Sequence, residues 1–481
     1  MNRHMVIYAT GRVLFVVGLL MFLPIVVAII YHEGFATIGP LFLSMLITTS
    51  AGAIMAAKPP KRRSIFVREG LAITGLSWIL LVIFGSLPYL FTGAIPYIPD
   101  AIFETASGFT TTGSSILNEI EPLPHSVLFW RSFTVFIGGM GILVFAVALL
   151  PKSSSDDIHL LKSEMPGPTF DKVLSRIRTV ARVFYIIYTV LTLTLIVALI
   201  LAGMNPFDAM LHAFATAGTG GFSPYTASIA AFHSVPIEII LAISMLIFAI
   251  NFNLYFYALR GRWREALKSE ELRWFLIIIF GAVGIISLNI LPMYDNPWTC
   301  VKDAFFNVAT IISTTGFCTI DFAQWPMFSQ LVLLMLMFIG GCAGSTAGGL
   351  KVSRVIALVK MGVRKLREAV NPKRVSVVVY EGKPMTERAQ NDIALYFILY
   401  VILFFALVIL ISFENFDFAT TFSAVASTYN NVGPGLGAVG PSGNFSGFSG
   451  FSKIVLSFGM VAGRLEIVPI ILLFAPRTWR A

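Results

Sequence analysis

Long runs of apolar residues, separated by short polar segments, fill almost the whole chain. Ten of these runs reach about 20 residues, the length that a helix needs to cross a hydrocarbon core of roughly 30 Å. Lipid offers the backbone no hydrogen-bond partner, so such runs are expected to cross a membrane as helices. The predicted spans are residues 11–32, 37–57, 69–93, 126–150, 181–204, 234–259, 272–293, 326–350, 390–412 and 451–475. The pattern predicts an all-α integral membrane protein with ten transmembrane helices.

Four short polar segments that contain glycine interrupt this pattern at matched positions. They are Thr111-Thr112-Gly113-Ser114, Gly220-Gly221-Phe222-Ser223, Thr314-Thr315-Gly316-Phe317 and Asn431-Val432-Gly433-Pro434. In the first three, an Asp-Ala pair begins 13 residues before the reference glycine (Gly113, Gly221, Gly316), whereas Asp417 lies 16 residues before Gly433. A helix, glycine turn and helix used four times is typical of a pore with pseudo-fourfold symmetry.

This repetition predicts how the chain is divided. Residues 1–60 supply two additional N-terminal helices, and four helix–pore-loop–helix repeats follow. The predicted repeats are residues 61–160, 161–265, 266–385 and 386–481, and the third also contains a broken helix.

Composition and charge support a membrane location and assign an orientation. Hydrophobic residues make up 57% of the chain and charged residues only 12%, with a mean hydropathy of +0.83, which excludes a soluble domain of this size. All but four of the 34 lysines and arginines lie on alternate loops or at the termini. By the positive-inside rule these loops and both termini face the cytoplasm. The net charge of +9 thus reflects membrane topology, and its spread over separate loops does not favour nucleic-acid binding.

The glycine segments fall on the opposite, outer side, where the loops carry acidic residues such as Asp100 and Glu104. These acids either raise the local cation concentration or form an ordinary polar surface. About ten helix-forming residues precede each segment, which is half the length of a membrane span and predicts a re-entrant pore helix. Its C-terminal end would favour a cation at the pore axis. Glycine allows successive carbonyl oxygens to face that axis, where a ring of carbonyls can replace the hydration shell of an alkali cation. The alternative is that the glycines form only extracellular turns.

The four segments, in this order, resemble the filter loops of the Trk/Ktr/HKT superfamily of potassium transporters, and most closely its bacterial TrkH branch. The resemblance covers essentially the whole chain and implies a channel-like pore, a homodimer with a pore in each subunit, and a cytosolic nucleotide-binding regulatory ring resembling TrkA. It implies K⁺ as the transported ion and Gly113, where sodium-selective plant relatives often carry serine, as a residue that favours K⁺. The implied filter residues are Thr111, Thr112, Gly113, Gly220, Gly221, Thr315, Gly316, Val432 and Gly433, with K⁺ held by backbone carbonyls at 112–113, 220–221, 315–316 and 432–433.

A glycine-rich stretch in the eighth span is a candidate gate. Five glycines with a serine and a threonine among residues 340–349 cost roughly 1 kcal/mol per glycine in a helix, so a break is expected there. It resembles the intramembrane gating loop of the family, although close helix packing through small residues is an alternative. The gate residues so predicted are Gly340, Gly341, Gly344, Ser345, Thr346, Gly348 and Gly349.

Arg464 lies in the middle of the last span. A charge at that depth is costly unless it faces water or a partner, which makes the residue a functional candidate. It resembles the pore-facing arginine of the family and is assigned to the gate. A salt bridge to Glu466 and a snorkelling side chain are the alternatives.

The remaining chemistry argues against an enzyme. No hydrolase constellation, nucleotide-binding fingerprint or organic-cofactor motif occurs in a suitable context, and the three cysteines lack metal-ligand spacing. The cytoplasmic loops 151–180 and 351–388 are candidate contacts for the regulatory partner or for anionic lipid. An alternating stretch at 373–380 is expected to pair as a short hairpin. The sequence predicts potassium uptake through a gated pore in the cytoplasmic membrane, and the alternative is a symporter that couples K⁺ to Na⁺ or H⁺.

Overall fold

The computed structural model describes residues 2–60, 67–141, 177–372 and 376–479, and most of these residues are helical. The N-terminal helices are α1 (Arg3–Leu20), α2 (Phe22–Ile30) and α3 (Phe35–Met55). The helices up to the second glycine segment are α4 (Val67–Gly85), α5 (Leu87–Phe91), α6 (Ile98–Phe109), α7 (His125–Gly139), α8 (Ile177–Leu201) and α9 (Pro206–Gly218). The next are α10 (Val235–Phe248), α11 (Phe252–Leu259), α12 (Trp263–Leu267), α13 (Glu270–Ile290), α14 (Pro297–Ile312), α15 (Met327–Ile339) and α16 (Val352–Val370). The last are α17 (Glu387–Ile411), α18 (Phe418–Tyr429), α19 (Gly450–Arg464), α20 (Val468–Phe474) and α21 (Pro476–Trp479).

Six helical stretches of the described residues are long and apolar enough to cross a membrane. They are Arg3–Ile30, Phe35–Met55, Arg68–Thr92, Ala181–Leu201, Glu270–Met293 and Glu387–Glu414. They correspond to six of the ten predicted spans, which establishes a helical membrane protein. A seventh results if α10 and α11 are counted as one span bent by 89°.

The other predicted spans are short or interrupted, and the sequence predicted only one of these breaks. Helices α7, α10, α15 and α19 contain 15, 14, 13 and 15 residues. The span predicted at 451–475 is divided at 465–467 and the one at 234–259 at 249–251. The span predicted at 126–150 has α7 as its first half, and residues 142–150 lie outside the described ranges. Each of these helices follows one glycine segment in the chain.

Close helix contact joins the N-terminal helices to one another. A methyl group added to Gly11 of α1 would lie 2.5 Å from Cβ of Met55, and one added to Gly52 of α3 would lie 2.6 Å from Cα of Phe15. Small residues at these positions let two backbones approach, the mode of packing common between membrane helices. The largest apolar core then runs from these helices into the parts of the chain that carry the first and fourth glycine segments.

The predicted hairpin forms a little later in the chain than expected. Strand β1 (Val379–Tyr380) pairs antiparallel with β2 (Lys383–Pro384). Residues 373–375 of the predicted stretch lie outside the described ranges. The turn residues Glu381 and Gly382 both have positive φ, +51° and +72°, as a two-residue turn of type I′ requires.

Candidate functional site

Four short helices lead into the glycine segments, where the sequence predicts pore helices. They are α6, α9, α14 and α18. The Asn205 and Asn296 side chains accept hydrogen bonds from the first turns of α9 and α14, and a proline follows each asparagine. Asp417 caps α18 in the same way. Asparagine or aspartate at the N-cap and proline at the first helical position are strong start signals, so these starts are set locally.

The four helices also end alike. At the end of α6, the Thr111 N–H donates to the Gly108 carbonyl and the Thr112 N–H donates to the Ser107 carbonyl, which is a Schellman cap. The same pair of bonds ends the other three helices. The residue at the turn is never glycine, yet its backbone is left-handed in each case, with φ between +56° and +58°: Thr111, Thr219, Thr314 and Asn431. The chain therefore enters all four segments through the same left-handed turn.

The segments meet in a closed ring. A methyl group added to Gly113 would lie 3.1 Å from the Gly220 carbonyl oxygen of the second segment. In the same sense, Gly221 faces the carbonyl of the third segment and Gly316 that of the fourth. Gly433 completes the ring, because its added methyl would lie 3.0 Å from the Thr112 carbonyl oxygen. All four glycines line one cavity of about 140 Å³.

Side chains connect the ring to the helices behind it. Thr110 and Thr112 hydroxyls lie 2.7 Å apart in the first segment, and Ser313 and Thr315 hydroxyls lie 2.8 Å apart at the matched place in the third. The Asn431 amide donates to the Thr112 hydroxyl at 2.9 Å, which joins the fourth segment to the first. Predicted filter residues from all four segments are thus brought together.

A buried ion pair between Glu104 and Arg131 connects the first two segments. We call this pair the clasp. Arg131 Nε donates to Glu104 at 2.6 Å, and both side chains are almost fully buried. Glu104 also accepts from the Ser115 hydroxyl and the Ile116 N–H, at 3.0 Å each. Arg131 donates to the Ser223 carbonyl at 2.7 Å and lies 3.7 Å above the centre of the Phe222 ring. The clasp therefore fixes the residues that follow Gly113 against those that follow Gly221.

Two other basic residues that lie outside the basic loops, Lys453 and Lys302, also form ion pairs. Lys453 lies 2.6 Å from Asp100, and Lys302 pairs with Glu238 and, at 3.0 Å, with Asp303. Three acids of the predicted acidic mouth, Asp100, Glu104 and Asp303, are therefore held in ion pairs. The charges of these acids are thus balanced by neighbouring lysine or arginine side chains.

One acid of the loop beyond the ring is held by hydrogen bonds. Glu121 accepts from the Thr226 N–H and hydroxyl, both at 2.7 Å. Partial burial acts to raise the pKa of Glu121, but these hydrogen bonds outweigh it and the pKa lies below its usual range. The contact adds a second connection between the loops that follow the first and second segments.

The predicted gate is a loop, residues 340–351, between α15 and α16. Gly340, Gly344, Gly349 and Lys351 have φ between +71° and +75°, so the helix is broken as predicted. The Gly348 N–H donates to the Thr314 hydroxyl at 2.6 Å, and a methyl group on Gly348 would meet the Asn430 carbonyl. The loop is thus seated directly against the third and fourth glycine segments.

Arg464 joins this loop to another helix. Its guanidinium donates to the Thr346 carbonyl at 2.6 Å and to the Gly138 and Gly139 carbonyls at 2.9 Å each. Glu466 pairs instead with Arg354. All the predicted gate residues, Arg464 included, therefore belong to one connected region.

A second cavity, of about 80 Å³, lies on the gate side of the ring. It is lined by Arg464, Glu466 and Lys351 together with glycines of the loop and at the ends of α7 and α19. Sequence reasoning missed Lys351 and the breaks. The Gly138-Gly139-Met140-Gly141 run was a signal for one break, but it equally suits helix packing.

Comparison with known proteins gives matches over nearly the whole chain. The TrkH family model, described as a cation transport protein, matches residues 40–480. The chain is 38% identical to the Trk system potassium uptake protein TrkH of Escherichia coli (strain K12), covering 96% of both chains. It is 35% identical to the TrkH protein of Halomonas elongata, covering all of both. The crystal structure of the potassium transporter TrkH from Vibrio parahaemolyticus superimposes with a TM-score of 0.89 at 34% identity over the whole of both chains. The chain therefore belongs to the TrkH family of cation transport proteins.

Proposed function

We propose that this chain takes up potassium across the cytoplasmic membrane through a selective, channel-like pore. The observation that carries the proposal is the closed ring of four glycine segments, each entered through the same left-handed turn. Its relatives in Escherichia coli and Halomonas elongata are named as potassium uptake proteins, which supports K⁺ as the transported ion.

In this proposal the selectivity filter consists of backbone carbonyls at 112–113, 220–221, 315–316 and 432–433. Carbonyl oxygens arranged around one axis can replace the hydration shell of K⁺. The C-terminal ends of α6, α9, α14 and α18 all meet the ring, and each contributes about half a negative elementary charge. A cation in the ring is therefore favoured without any carboxylate ligand.

The gate is the loop 340–349 together with Arg464. The loop is seated against two of the four segments through Gly348, so in this position it obstructs the path away from the filter. Arg464 holds it there through Thr346 and adds a fixed positive charge beside the cavity. Conduction requires the loop to move.

The proposed architecture is the ten spans and four repeats predicted from the sequence. The four short helices α7, α10, α15 and α19 support it, because each takes the same place in its repeat. Orientation follows the basic loops, so both termini are cytoplasmic. Inward K⁺ flux is then driven by the membrane potential, which is worth roughly 2.3 kcal/mol per charge for each 100 mV.

The proposed assembly is a homodimer with a cytosolic nucleotide-binding subunit resembling TrkA. An apolar stripe of α16 supports a protein contact, since Val359, Leu366 and Val370 are 60%, 70% and 88% exposed on one side of a helix rich in basic residues. We assign this stripe to the second copy of the chain. The basic residues of 351–388 are assigned to the regulatory subunit or to anionic lipid, and neutralising them should weaken the complex with the subunit if that assignment holds.

Flux measurements separate the channel from the symporter. The purified chain in proteoliposomes should take up Rb⁺ and K⁺ under an imposed potential, with no gradient of Na⁺ or H⁺, and faster than Na⁺ or Li⁺. Uptake that needs a Na⁺ or proton gradient would favour the symporter.

A further inference from the structure

Both ends of the gating loop are held by one buried carboxylate. Glu271, at the start of α13, accepts hydrogen bonds through the same oxygen from the Ala343 N–H at 2.7 Å and the Ser353 N–H at 3.1 Å. Ala343 lies near the beginning of the loop and Ser353 just beyond its end. The Glu271 side chain is only 4% exposed, so these two bonds replace much of the hydration that burial removes.

The cytoplasmic hairpin is fastened to the same helix start. The carboxylate of Glu381, in the hairpin turn, accepts from the Ser269 hydroxyl at 2.7 Å and from the Glu271 N–H at 3.1 Å. In return the Glu381 N–H donates to Glu270 at 3.2 Å. The carboxylate of Glu381 therefore caps α13 at the turn from which Glu271 projects.

Glu381 makes this contact from a strained backbone conformation. Its φ of +51° belongs to a region where an L-residue other than Asn or Gly is uncommon and strained. Asparagine or glycine would form the same type I′ turn more readily. Neither, however, could supply a carboxylate that reaches both Ser269 and Glu271.

A second attachment binds the hairpin to the other side of the loop. Lys360 of α16 donates to the Val379 carbonyl at 2.7 Å and pairs with Glu270 of α13. Because α16 begins directly after the loop and α13 carries Glu271, the hairpin is tied to two helices that contact the gate: to α16 through Lys360 and to α13 through Glu381.

We infer that Glu271 and Glu381 form a latch that couples the hairpin to the gate. Movement of the hairpin by a cytosolic partner displaces the start of α13, withdraws Glu271 from Ala343 and Ser353, and frees both ends of the loop. Glu271 is a positioning residue in this account, since it acts on the loop and not on the ion. The flux test of this inference rests on the proposed function, whereas the test by hydrogen exchange in the loop does not.

Two measurements on the full-length chain test the latch. Glu271→Ala and Glu381→Ala should each raise Rb⁺ uptake by the chain alone, on the order of tenfold, with the ratio of Rb⁺ to Na⁺ unchanged. The amides of Ala343 and Ser353 should exchange hydrogen faster in both variants. Uptake and exchange in the double variant should be only slightly faster than in the stronger single variant, because both changes release the same contact. Glu271→Gln, which keeps a carbonyl acceptor, should recover part of the wild-type behaviour.

The matched control is Glu265→Ala in the neighbouring helix α12. Its carboxylate pairs with Arg262 in an exposed contact, and this variant should behave as the wild type in both measurements. If Glu271→Ala does not fold, Glu381→Ala in the hairpin turn still decides the question. Wild-type exchange and flux in Glu381→Ala would overturn the latch, as would additive effects of the two changes. A wild-type chain without K⁺-selective flux would instead overturn the proposed function, and the exchange data would still test the latch.

Discussion

Four left-handed residues that are not glycine stand just before the reference glycines. Each such residue costs about 1–2 kcal/mol relative to a right-handed conformation, and glycine would avoid that cost. Two of them use their side chains to contact other parts of the chain: Thr314 accepts from Gly348 of the gate, and Asn431 donates to Thr112 and to the Met460 carbonyl. At these two positions the side-chain contacts offset the backbone strain.

The reference glycines differ in how much space surrounds them. Gly113 and Gly316 have similar φ, +80° and +86°, so substitution adds similar backbone strain at both. A methyl group on Gly113 would lie 3.1 Å from the nearest atoms, whereas one on Gly316 would overlap the Val432 carbonyl and lie 2.8 Å from Pro434 Cδ. Gly113→Ser should therefore fold and conduct with a smaller preference for K⁺ over Na⁺. Gly316→Ser should lose several kcal/mol of stability.

Thermal unfolding in detergent and paired Rb⁺ and Na⁺ uptake measure both effects of these substitutions. Equal loss of stability in the two variants would contradict the difference in packing. An unchanged ion preference in Gly113→Ser would count against a role for the first segment in selection.

Arg464 is expected to restrain the gate, and the restraint should weaken as fewer of its hydrogen bonds to backbone carbonyls remain. Arg464→Ala removes donors from Thr346, Gly138 and Gly139, so Rb⁺ uptake by the chain alone should rise. Arg464→Lys keeps the charge but only a compact donor group, and its uptake should fall between the alanine variant and the wild type. Lower uptake in Arg464→Ala than in the wild type would show that the residue promotes conduction.

At the scale of elements, the clasp should matter more than any exposed ion pair. Glu104→Gln or Arg131→Met leaves one buried charge without its partner, which costs about 3–5 kcal/mol. Removing both charges together should cost less than the two single changes summed. The exposed Arg262–Glu265 pair is the control, because such pairs contribute about 0–1 kcal/mol.

Melting temperatures of the two single variants, the double variant and the control measure this coupling. Strict additivity of the two clasp substitutions would mean that the pair does not act as a unit.

The sequence was sufficient for elements whose signals are local. The short helices before the glycine segments, the break at 340–349 and the six long spans all follow from composition, length and glycine content. The break after α10 has only the N-cap Asn251 as a local signal, because Phe248-Ala249-Ile250 before it is apolar, and the break after α19 is equally hard to predict from local sequence. They depend on tertiary contacts: the Ala249 carbonyl accepts from the Cys342 N–H of the gate loop.

The site was predictable only in part for the same reason. The four reference glycines could be recognised from the sequence, because they recur at matched positions of an internal repeat. The partners of Glu104, Glu271 and Arg464 are far away in sequence, and no spacing rule points to them. The structure supplies those pairings.

At the scale of the whole molecule, the apolar stripe of α16 should hold two copies together. Leu366→Glu places a charge on that stripe and should convert a dimer into a monomer, as measured by light scattering during size exclusion. Lys365→Gln, an exposed position on another face of the same helix, should leave the dimer intact. A stable dimer in the Leu366→Glu variant would place the contact between copies elsewhere.

In the proposed filter, four segments from distant parts of one chain bind K⁺ together. Anomalous diffraction from crystals grown with Rb⁺, under ionic conditions in which the chain conducts Rb⁺, tests it directly. If the ring is the selectivity filter, we expect anomalous density inside the ring formed by Gly113, Gly221, Gly316 and Gly433. Density elsewhere in the chain, with none in the ring, would contradict it.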